Sequence, residues 1–191
     1  MKIEDTAIPG VRILQPRRWE DARGWFMETW SRDALRSHGI DVGWVQDNHS
    51  MSRAAGTVRG LHFQGPPRAQ AKLVRVLRGA VWDVAVDARK GSPTFGAWVG
   101  VELSAGNGLQ LLVPEGCLHG FATREPGTEV AYKCSDSYAA DRDGAVAWDD
   151  PDLAIDWGVA PGDAVLSDKD RAAPRWRDWD SPFAWEGAGT A

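Results

Sequence analysis

Three residues suited to acid–base chemistry stand in segments that otherwise have the composition of strands. His62 lies in GLHFQ, Lys72 in AKLVRV and Tyr132 in VAYKC. A histidine titrates near neutral pH and suits the role of proton acceptor, whereas a phenol suits the role of donor. Because side chains alternate along a strand, Tyr132 shares a face with Val130 and Cys134. The sequence therefore predicts an acid–base pair if the faces that carry His62 and Tyr132 line one interior.

The same alternation predicts which way His62 and Lys72 point. The faces expected to point inward carry Val58, Gly60, His62 and Gln64 on one strand, and Lys72, Val74 and Val76 on another. A lysine inside a barrel needs a negative partner. That partner is either Asp83 or Asp87 in a salt bridge, or an oxyanion that develops on a substrate. A base histidine is often oriented by a carboxylate, and Asp170 is one of many acidic residues that could serve.

Metal binding is an alternative interpretation of the same histidines. The segment PEGCLHG has the Pro-x-Gly-x-x-His spacing of a metal-binding cupin motif and carries His119. The partner motif should offer two histidines and a carboxylate, yet here it offers only His62 and Gln64. A transition metal normally requires three or four good ligands. A metal-free barrel, in which His119 has another purpose, is therefore the preferred interpretation, and we expect no metal and no cofactor.

Many short strands separated by turns must position these side chains. Residues 71–116 form runs rich in Val, Leu and Trp, and the separators RKGSP and SAGNG have the composition of turns. Within VWDVAVD, one face of the strand carries Trp82, Val84 and Val86, and the other face carries Asp83, Ala85 and Asp87. Such a pattern predicts a mainly β fold, an antiparallel sandwich or barrel of the jelly-roll kind, with a few short peripheral helices. One helix is expected in SRDALRSHGI with Ser31 as its N-cap, and a second in the acidic tail.

Composition limits the other classes of protein. The 191 residues predict one domain over 1–191, with a core at about 3–175 and a Trp-rich C-terminal tail packed on it. No apolar run approaches a membrane span and no signal peptide begins the chain, so we expect a cytoplasmic protein without membrane contact. The net charge of −5 predicts no nucleic-acid partner. Cys117 and Cys134 have no C-x-x-C neighbours and are expected to be buried thiols.

Taken together, several motifs resemble one enzyme family. The segments RGLHFQ, PEGCLHGF, AYKCSDSY, WDDPDLAIDW and LSDKD resemble the dTDP-4-dehydrorhamnose 3,5-epimerases in order and spacing, over about residues 3–175. The resemblance implies a jelly-roll homodimer that inverts C3 and C5 of dTDP-4-dehydro-6-deoxy-D-glucose and gives the precursor of dTDP-L-rhamnose. It implies no metal or redox cofactor.

The resemblance also implies a role for each site residue. His62 is the base, Asp170 orients it, Lys72 holds the enolate oxygen and Tyr132 returns a proton from the opposite face. The implied substrate-binding residues are Arg23, Glu28, Gln46, Asn48, Arg59, His119, Tyr138, Asp143 and Lys169. Among them, Arg23 and Glu28 are expected to reach the nucleotide from the neighbouring subunit. Strict alternation places Arg59 opposite His62, so a bulge or a sheet-edge position is required. Without the resemblance, surface charges and edge amides are the simpler interpretation of all nine.

Some positions depart from the family pattern and leave alternatives open. Ser137 and Ala140 flank the Tyr138 loop unusually, Cys117 stands where a bulky aromatic is common, and Asp143 stands where relatives usually have Glu. Some family members invert only C3, so a 3-epimerase is one alternative. The others are a metallocupin and a non-catalytic barrel that binds sugar nucleotides, the latter suggested by the eleven tryptophans.

Overall fold

The computed structural model describes residues 1–187, and strands dominate its secondary structure. The strands are β1 (Lys2–Asp5), β2 (Arg12–Gln15), β3 (Arg18–Asp21), β4 (Gly24–Met27), β5 (Gln46–Ser52), β6 (Val58–Gln64), β7 (Lys72–Arg78), β8 (Ala80–Asp87), β9 (Trp98–Ser104), β10 (Gln110–Val113), β11 (Cys117–Thr123), β12 (Thr128–Cys134) and β13 (Asp143–Ala145). The helices are α1 (Arg32–Arg36), α2 (Asp168–Arg171) and a 3-10 helix at Trp176–Asp178. The predicted mainly β class is confirmed.

Two antiparallel sheets face each other and enclose the core. The six-stranded sheet has the order β1-β2-β10-β7-β12-β5, and the five-stranded sheet has the order β13-β6-β11-β8-β9. Val74 and Val130 of the first sheet and Val81, Ala85 and Phe121 of the second belong to one buried cluster. We call the space between the two sheets the barrel interior. This arrangement is the predicted jelly-roll barrel.

The alternation predicted in β8 is confirmed. The residues that face away from the interior, into a second apolar cluster, are Trp82, Val84 and Val86. The intervening Asp83 and Asp87 are both fully buried, and Ala85 belongs to the interior cluster. The five-stranded sheet therefore buries apolar side chains on its outer face and presents two carboxylates on its inner face.

A β-bulge interrupts strand β6. His62 pairs with His119 and Arg59 pairs with Phe121, so Gly60 and Leu61 together lie opposite a single residue of β11. The bulge brings Arg59 onto the same face as His62, as the resemblance required. Gly60 has a φ of +133°, and a Cβ atom there would lie 2.6 Å from the Cα of Gly120. Only glycine fits this position.

The bulge also corrects one prediction. Val58 and His62 were expected on the same face, but Val58 packs with Leu61 in the outer apolar cluster. The extra residue in the bulge inverts the alternation between these two positions. The inward face expected for Lys72, Val74 and Val76 is unaffected, because β7 pairs regularly with β12 along this segment.

Both predicted helices are present, and the tail covers the five-stranded sheet. Ser31 caps α1, and α2 falls in the acidic tail. Farther along the tail, Trp176, Trp179 and Phe183 pack into the outer apolar cluster. The part of the tail prediction that concerns residues 188–191 lies outside the described residues. Within 1–187, no helix is long and apolar enough to cross a membrane.

Candidate active site

A cavity between the two sheets brings together the residues predicted to carry the chemistry. Its volume is about 100 Å³. His62 reaches it from β6 of the five-stranded sheet, and Lys72 and Tyr132 reach it from β7 and β12 of the six-stranded sheet. The complete lining is Gln46, Asn48, His62, Phe63, Gln64, Gln70, Lys72, Tyr132, Tyr138 and Asp143. The histidine and the phenol therefore stand on opposite walls of one space.

Asp170 is the carboxylate that orients His62. The Nε2 atom of His62 lies 2.5 Å from Oδ1 of Asp170, whose side chain is 3% exposed. Ser167 caps α2 by accepting from the Asp170 N–H, and its hydroxyl donates to Asp170 Oδ2 at 2.7 Å. Burial raises the pKa of Asp170, but the hydrogen bonds from His62 and Ser167 outweigh it and lower the pKa below its usual range. A carboxylate at Nε2 leaves Nδ1 as the ring nitrogen with a free lone pair.

Lys72 lies in the cavity wall without an ion pair. Among residues 1–187 no carboxylate lies within 4.0 Å of its ammonium, so the alternative of a salt bridge to Asp83 or Asp87 is wrong. Asp87 is instead paired with Arg89, and Asp83 with His119. Burial lowers the pKa of Lys72. A cation held in a dry wall and left uncommitted by the fold is available to a developing oxyanion.

Tyr132 keeps its proton at neutral pH. Burial raises the pKa of its phenol, and the nearby Cys134 raises it further, while Arg59 and a hydrogen bond with Asn48 act in the opposite direction. Tyr132 lies opposite Asn48 and Val74 on the neighbouring strands, and its side chain packs against the interior apolar cluster. A half-buried, protonated phenol across from a histidine is the donor that inversion at a carbon atom requires.

The mouth of the cavity is formed by five of the predicted binding residues. The Tyr138 hydroxyl donates to Asp143 Oδ2 at 3.3 Å, and Lys169 forms a short ion pair with the same oxygen. The backbone N–H of Tyr138 donates to Gln46 Oε1 at 2.8 Å. Gln46 in turn donates to Asn48 at 3.1 Å. These contacts join β5, β13 and α2 around one opening.

His119 and Arg59 stand beside the cavity rather than in its lining. His119 pairs directly with His62 across β11 and β6, and its Nε2 lies 2.9 Å from Asp83 Oδ1. The guanidinium of Arg59 donates to the hydroxyl of Ser52 and the carbonyl of Met51, each at 3.2 Å. Both side chains face the barrel interior. Their proposed contacts with a ligand stay predictions.

Arg23 and Glu28 lie away from the cavity within one chain. Both residues are exposed, and Arg23 stands at the tip of the β3–β4 hairpin with its guanidinium paired to Asp21 at 2.6 Å. A single chain therefore does not bring them to His62. This placement is compatible with the prediction that they act on a neighbouring subunit's ligand.

Three cavity residues were missed from the sequence as site residues. Gln64 was considered only as a metal ligand, and Phe63 and Gln70 were not considered. The sequence signal that could have found Gln64 and Gln70 is that these two uncharged polar residues flank the loop that follows β6. Gln64 is 4% exposed, and its amide bonds three backbone groups of the surrounding loops.

The residues considered as metal ligands are engaged in other contacts. His119 is bonded to Asp83, and the amide of Gln64 is used by backbone groups. In residues 1–187, no group of three or more His, Cys, Asp or Glu side chains is arranged to hold a metal ion.

Cys117 and Cys134 are buried free thiols as predicted, and Cys117 belongs to the apolar core rather than to the cavity lining. Burial raises the pKa of Cys117 to about 12.

Known proteins match nearly the whole chain. The family described as dTDP-4-dehydrorhamnose 3,5-epimerase matches residues 5–178. A protein of that name from Sinorhizobium fredii is 48% identical over 174 residues, which cover 91% of this chain and 89% of the relative.

Solved structures of epimerases with that activity in their names are also similar to this chain over most of its length. The crystal structure of the dTDP-4-dehydrorhamnose 3,5-epimerase from Bacillus anthracis, with TDP and PPi bound, has a TM-score of 0.88 at 49% identity and covers 91% of this chain and 98% of its own. The dTDP-6-deoxy-D-glucose-3,5-epimerase from Legionella pneumophila, in complex with dTDP-4-keto-L-rhamnose, has a TM-score of 0.92 at 41% identity and covers 97% and 99%.

Proposed function

This chain belongs to the dTDP-4-dehydrorhamnose 3,5-epimerase family, and we propose that its cavity converts dTDP-4-dehydro-6-deoxy-D-glucose to dTDP-4-dehydro-L-rhamnose. The observation that carries the proposal is the position of His62 and Tyr132 on opposite walls of one cavity, with Lys72 beside them. Inversion at a carbon requires a base on one side and an acid on the other. A binding barrel without catalysis has no need of this arrangement.

The mechanism follows from the ketone at C4. Protons on C3 and C5 are acidic because either carbanion is delocalised onto the ketone oxygen as an enolate. His62 removes the proton, and the Asp170 carboxylate stabilises the imidazolium that forms. The Lys72 ammonium stabilises the enolate oxygen, and Tyr132 delivers a proton to the opposite face of the same carbon. Once the imidazolium has passed its proton to solvent and the Tyr132 phenolate has taken one back, the steps repeat at the second carbon, with no change in oxidation state.

The binding residues divide by location. Gln46, Asn48, Tyr138 and Asp143 line the cavity and are proposed to contact the sugar or the nucleotide. Arg59, His119 and Lys169 are proposed to serve the sugar and the diphosphate, to which their positive or donor groups are suited. Arg23 and Glu28 are proposed to contact the nucleotide from the second subunit of a homodimer. The cytoplasmic location predicted from the sequence stays part of this proposal.

Solvent exchange tests the proposal directly. Incubation with the keto sugar in deuterated water should place deuterium at both C3 and C5, with a chelator present throughout. Label at C3 alone would identify a 3-epimerase instead. His62→Ala should reduce exchange by about 100-fold to 10,000-fold, the usual range for loss of a general base. Normal exchange in this variant would exclude His62 as the base.

A metal analysis serves as the control for the metallocupin alternative. We expect activity to persist after chelation and dialysis, and stoichiometric iron, zinc or manganese that restores lost activity would contradict the metal-independent mechanism. Binding of the dTDP-sugar without any exchange would favour the non-catalytic barrel.

A further inference from the structure

Asp83 is a fully buried carboxylate on the inner face of β8 that the fold leaves half satisfied. Its Oδ1 lies 2.9 Å from Nε2 of His119. Its Oδ2 is buried and has no hydrogen-bond partner among residues 1–187. An unpaired buried carboxylate oxygen is costly, because water has been removed and nothing replaces it. Stability alone therefore gives no reason to place an aspartate at this position.

Asp87 shows what a structural carboxylate looks like on the same face of the same strand. It is equally buried, and its two oxygens accept from the side chains of Arg89, Ser92 and Thr94 at 2.6–2.9 Å. These bonds close the turn that follows β8. The hydrogen bonds of Asp87 explain its presence, whereas those of Asp83 do not.

Lys72 is a cation in the same barrel interior, and no carboxylate of residues 1–187 contacts its ammonium. The charged and titratable groups that act on its ammonium are Cys134 on β12, Asp143 on β13, Asp83 on β8 and Lys169 on α2. Asp143 is committed to Lys169 and Tyr138. Burial raises the pKa of Cys134, so its thiol is neutral at neutral pH. Among these groups, Asp83 is the one carboxylate with a buried oxygen that accepts no hydrogen bond from residues 1–187.

We propose that Asp83 is a positioning residue of the reaction, whose fixed negative charge keeps Lys72 an ammonium without pairing with it directly. A carboxylate in contact with the ammonium would compete with the enolate oxygen. A carboxylate farther away still favours the charged form, since charges interact over longer distances in a dry interior than in water. The inference rests on the proposed function for the role of Lys72 as the partner of the enolate oxygen.

The test is a neutral isostere with a matched control on the same strand. Asp83→Asn keeps an oxygen that can accept from His119 but removes the charge. We expect kcat to fall about tenfold to hundredfold with KM changed less than about threefold, because the loss concerns enolate stabilisation. The alkaline limit of kcat/KM should move down by about one pH unit, since the Lys72 ammonium loses its proton more easily. Asp87→Asn should lower Tm and leave this limit unchanged.

Combination with Lys72→Met separates an effect through Lys72 from a general structural effect. In the Lys72→Met background, Asp83→Asn should cost less than about twofold, because the residue through which it acts is gone. An equal loss in both backgrounds, or an unchanged alkaline limit in Asp83→Asn, would overturn the proposal. If the wild type itself shows no solvent exchange, the proposed function fails independently of Asp83.

A second measurement avoids any change at Asp83. Coupling between two charges is reciprocal, so removal of the Lys72 charge must affect Asp83. In protein labelled with 13C-aspartate, the pH titration of the Asp83 carboxyl resonance should differ between the wild type and Lys72→Met. Identical titrations would refute the inference even if Asp83→Asn did not fold.

Discussion

At the scale of the residue, a histidine base is useful only when one ring nitrogen is held as a donor and the other is free. The 2.5 Å contact between His62 and Asp170 meets this requirement, and the Ser167 cap holds the carboxylate in turn. The opposing phenol of Tyr132 keeps its proton because burial raises its pKa. The proposed mechanism assigns the removal and the return of a proton to different groups, so the two steps can be separated by experiment.

Tyr132→Phe should separate exchange from inversion. The variant keeps His62, Asp170 and Lys72, so the enolate should still form, and His62 can return a deuteron to the face it deprotonated. We expect deuterium to enter the substrate while product formation falls about 100-fold or more, the range for loss of a general acid. Proton NMR of the recovered sugar in deuterated water measures both quantities. Loss of exchange and of product to the same extent would show that Tyr132 does more than donate.

The Asp170 pKa predicts a pH dependence of stability. The pKa of the folded carboxyl lies below the usual value of 3.8, so its hydrogen bonds stabilise the native state above that value, and this contribution disappears as the pH falls through the lowered pKa. Asp170→Asn should lose about 1.5–3 kcal/mol at pH 7, typical of a charge-assisted hydrogen bond. Denaturant unfolding of both proteins should show the difference shrinking below pH 4. A difference independent of pH would contradict the assignment.

At the scale of the element, Gln64 joins β6, the strand that carries His62, to the Tyr138 loop. Its Nε2 donates to the carbonyls of Arg68 and Ser137, and its Oε1 accepts from the N–H of Ala139 at 2.8 Å. The loop that carries Tyr138 is therefore held by the last residue of β6. The strand that carries His62, the proposed base, also positions one side of the cavity mouth.

Gln64→Glu should weaken substrate binding more than chemistry. The new carboxylate faces two carbonyl oxygens and releases the Tyr138 loop, so KM should rise about tenfold, the equivalent of about 1.4 kcal/mol, with kcat reduced less. Gln110→Glu is the matched control, since Gln110 is 1% exposed and its Nε2 donates to the carbonyl of Thr29 at 2.8 Å. Both variants should lower Tm, but only Gln64→Glu should raise KM. If Gln64→Glu and Gln110→Glu have the same KM, other contacts hold the Tyr138 loop.

Period-two alternation predicted the directions of Lys72 and Tyr132 correctly, because β7 and β12 pair regularly at those residues. It failed on β6, where the bulge at Gly60 moves Arg59 to the face of His62, and a bulge leaves no reliable mark in one sequence. Asp170 could not be chosen from spacing, since α2 lies 108 residues from His62 in the chain. Local patterns therefore predicted strand faces, whereas long-range pairing decided the composition of the site.

At the scale of the whole molecule, the β3–β4 hairpin is unusually apolar for an exposed element. Trp25 is 57% exposed and Phe26 is 68% exposed, and Trp19 is also exposed. Exposed clusters of large aromatic side chains are typical of protein contacts. Arg23 stands at the tip of this hairpin, away from the cavity of its own chain. These features support the proposed homodimer, in which the hairpin of one subunit would complete the site of the other.

Mixing two defective variants tests whether the site is shared. His62→Ala removes the base, and Arg23→Ala removes the proposed nucleotide contact. If Arg23 acts on the partner's ligand, a mixed dimer has one site with both defects and one intact site. Coexpression or joint refolding should then restore about a quarter of wild-type activity, because half of the randomly formed dimers are mixed and each has one working site.

The control for this experiment combines His62→Ala with Lys72→Met. Both side chains belong to the cavity of the same chain, so every site in the mixed dimer remains defective and no activity should return. Restoration with Arg23→Ala but not with Lys72→Met would place Arg23 at the neighbouring subunit's site. Activity equal to the average of the two parent variants in both mixtures would instead show that each chain works alone, and the exposed hairpin would then need a different partner.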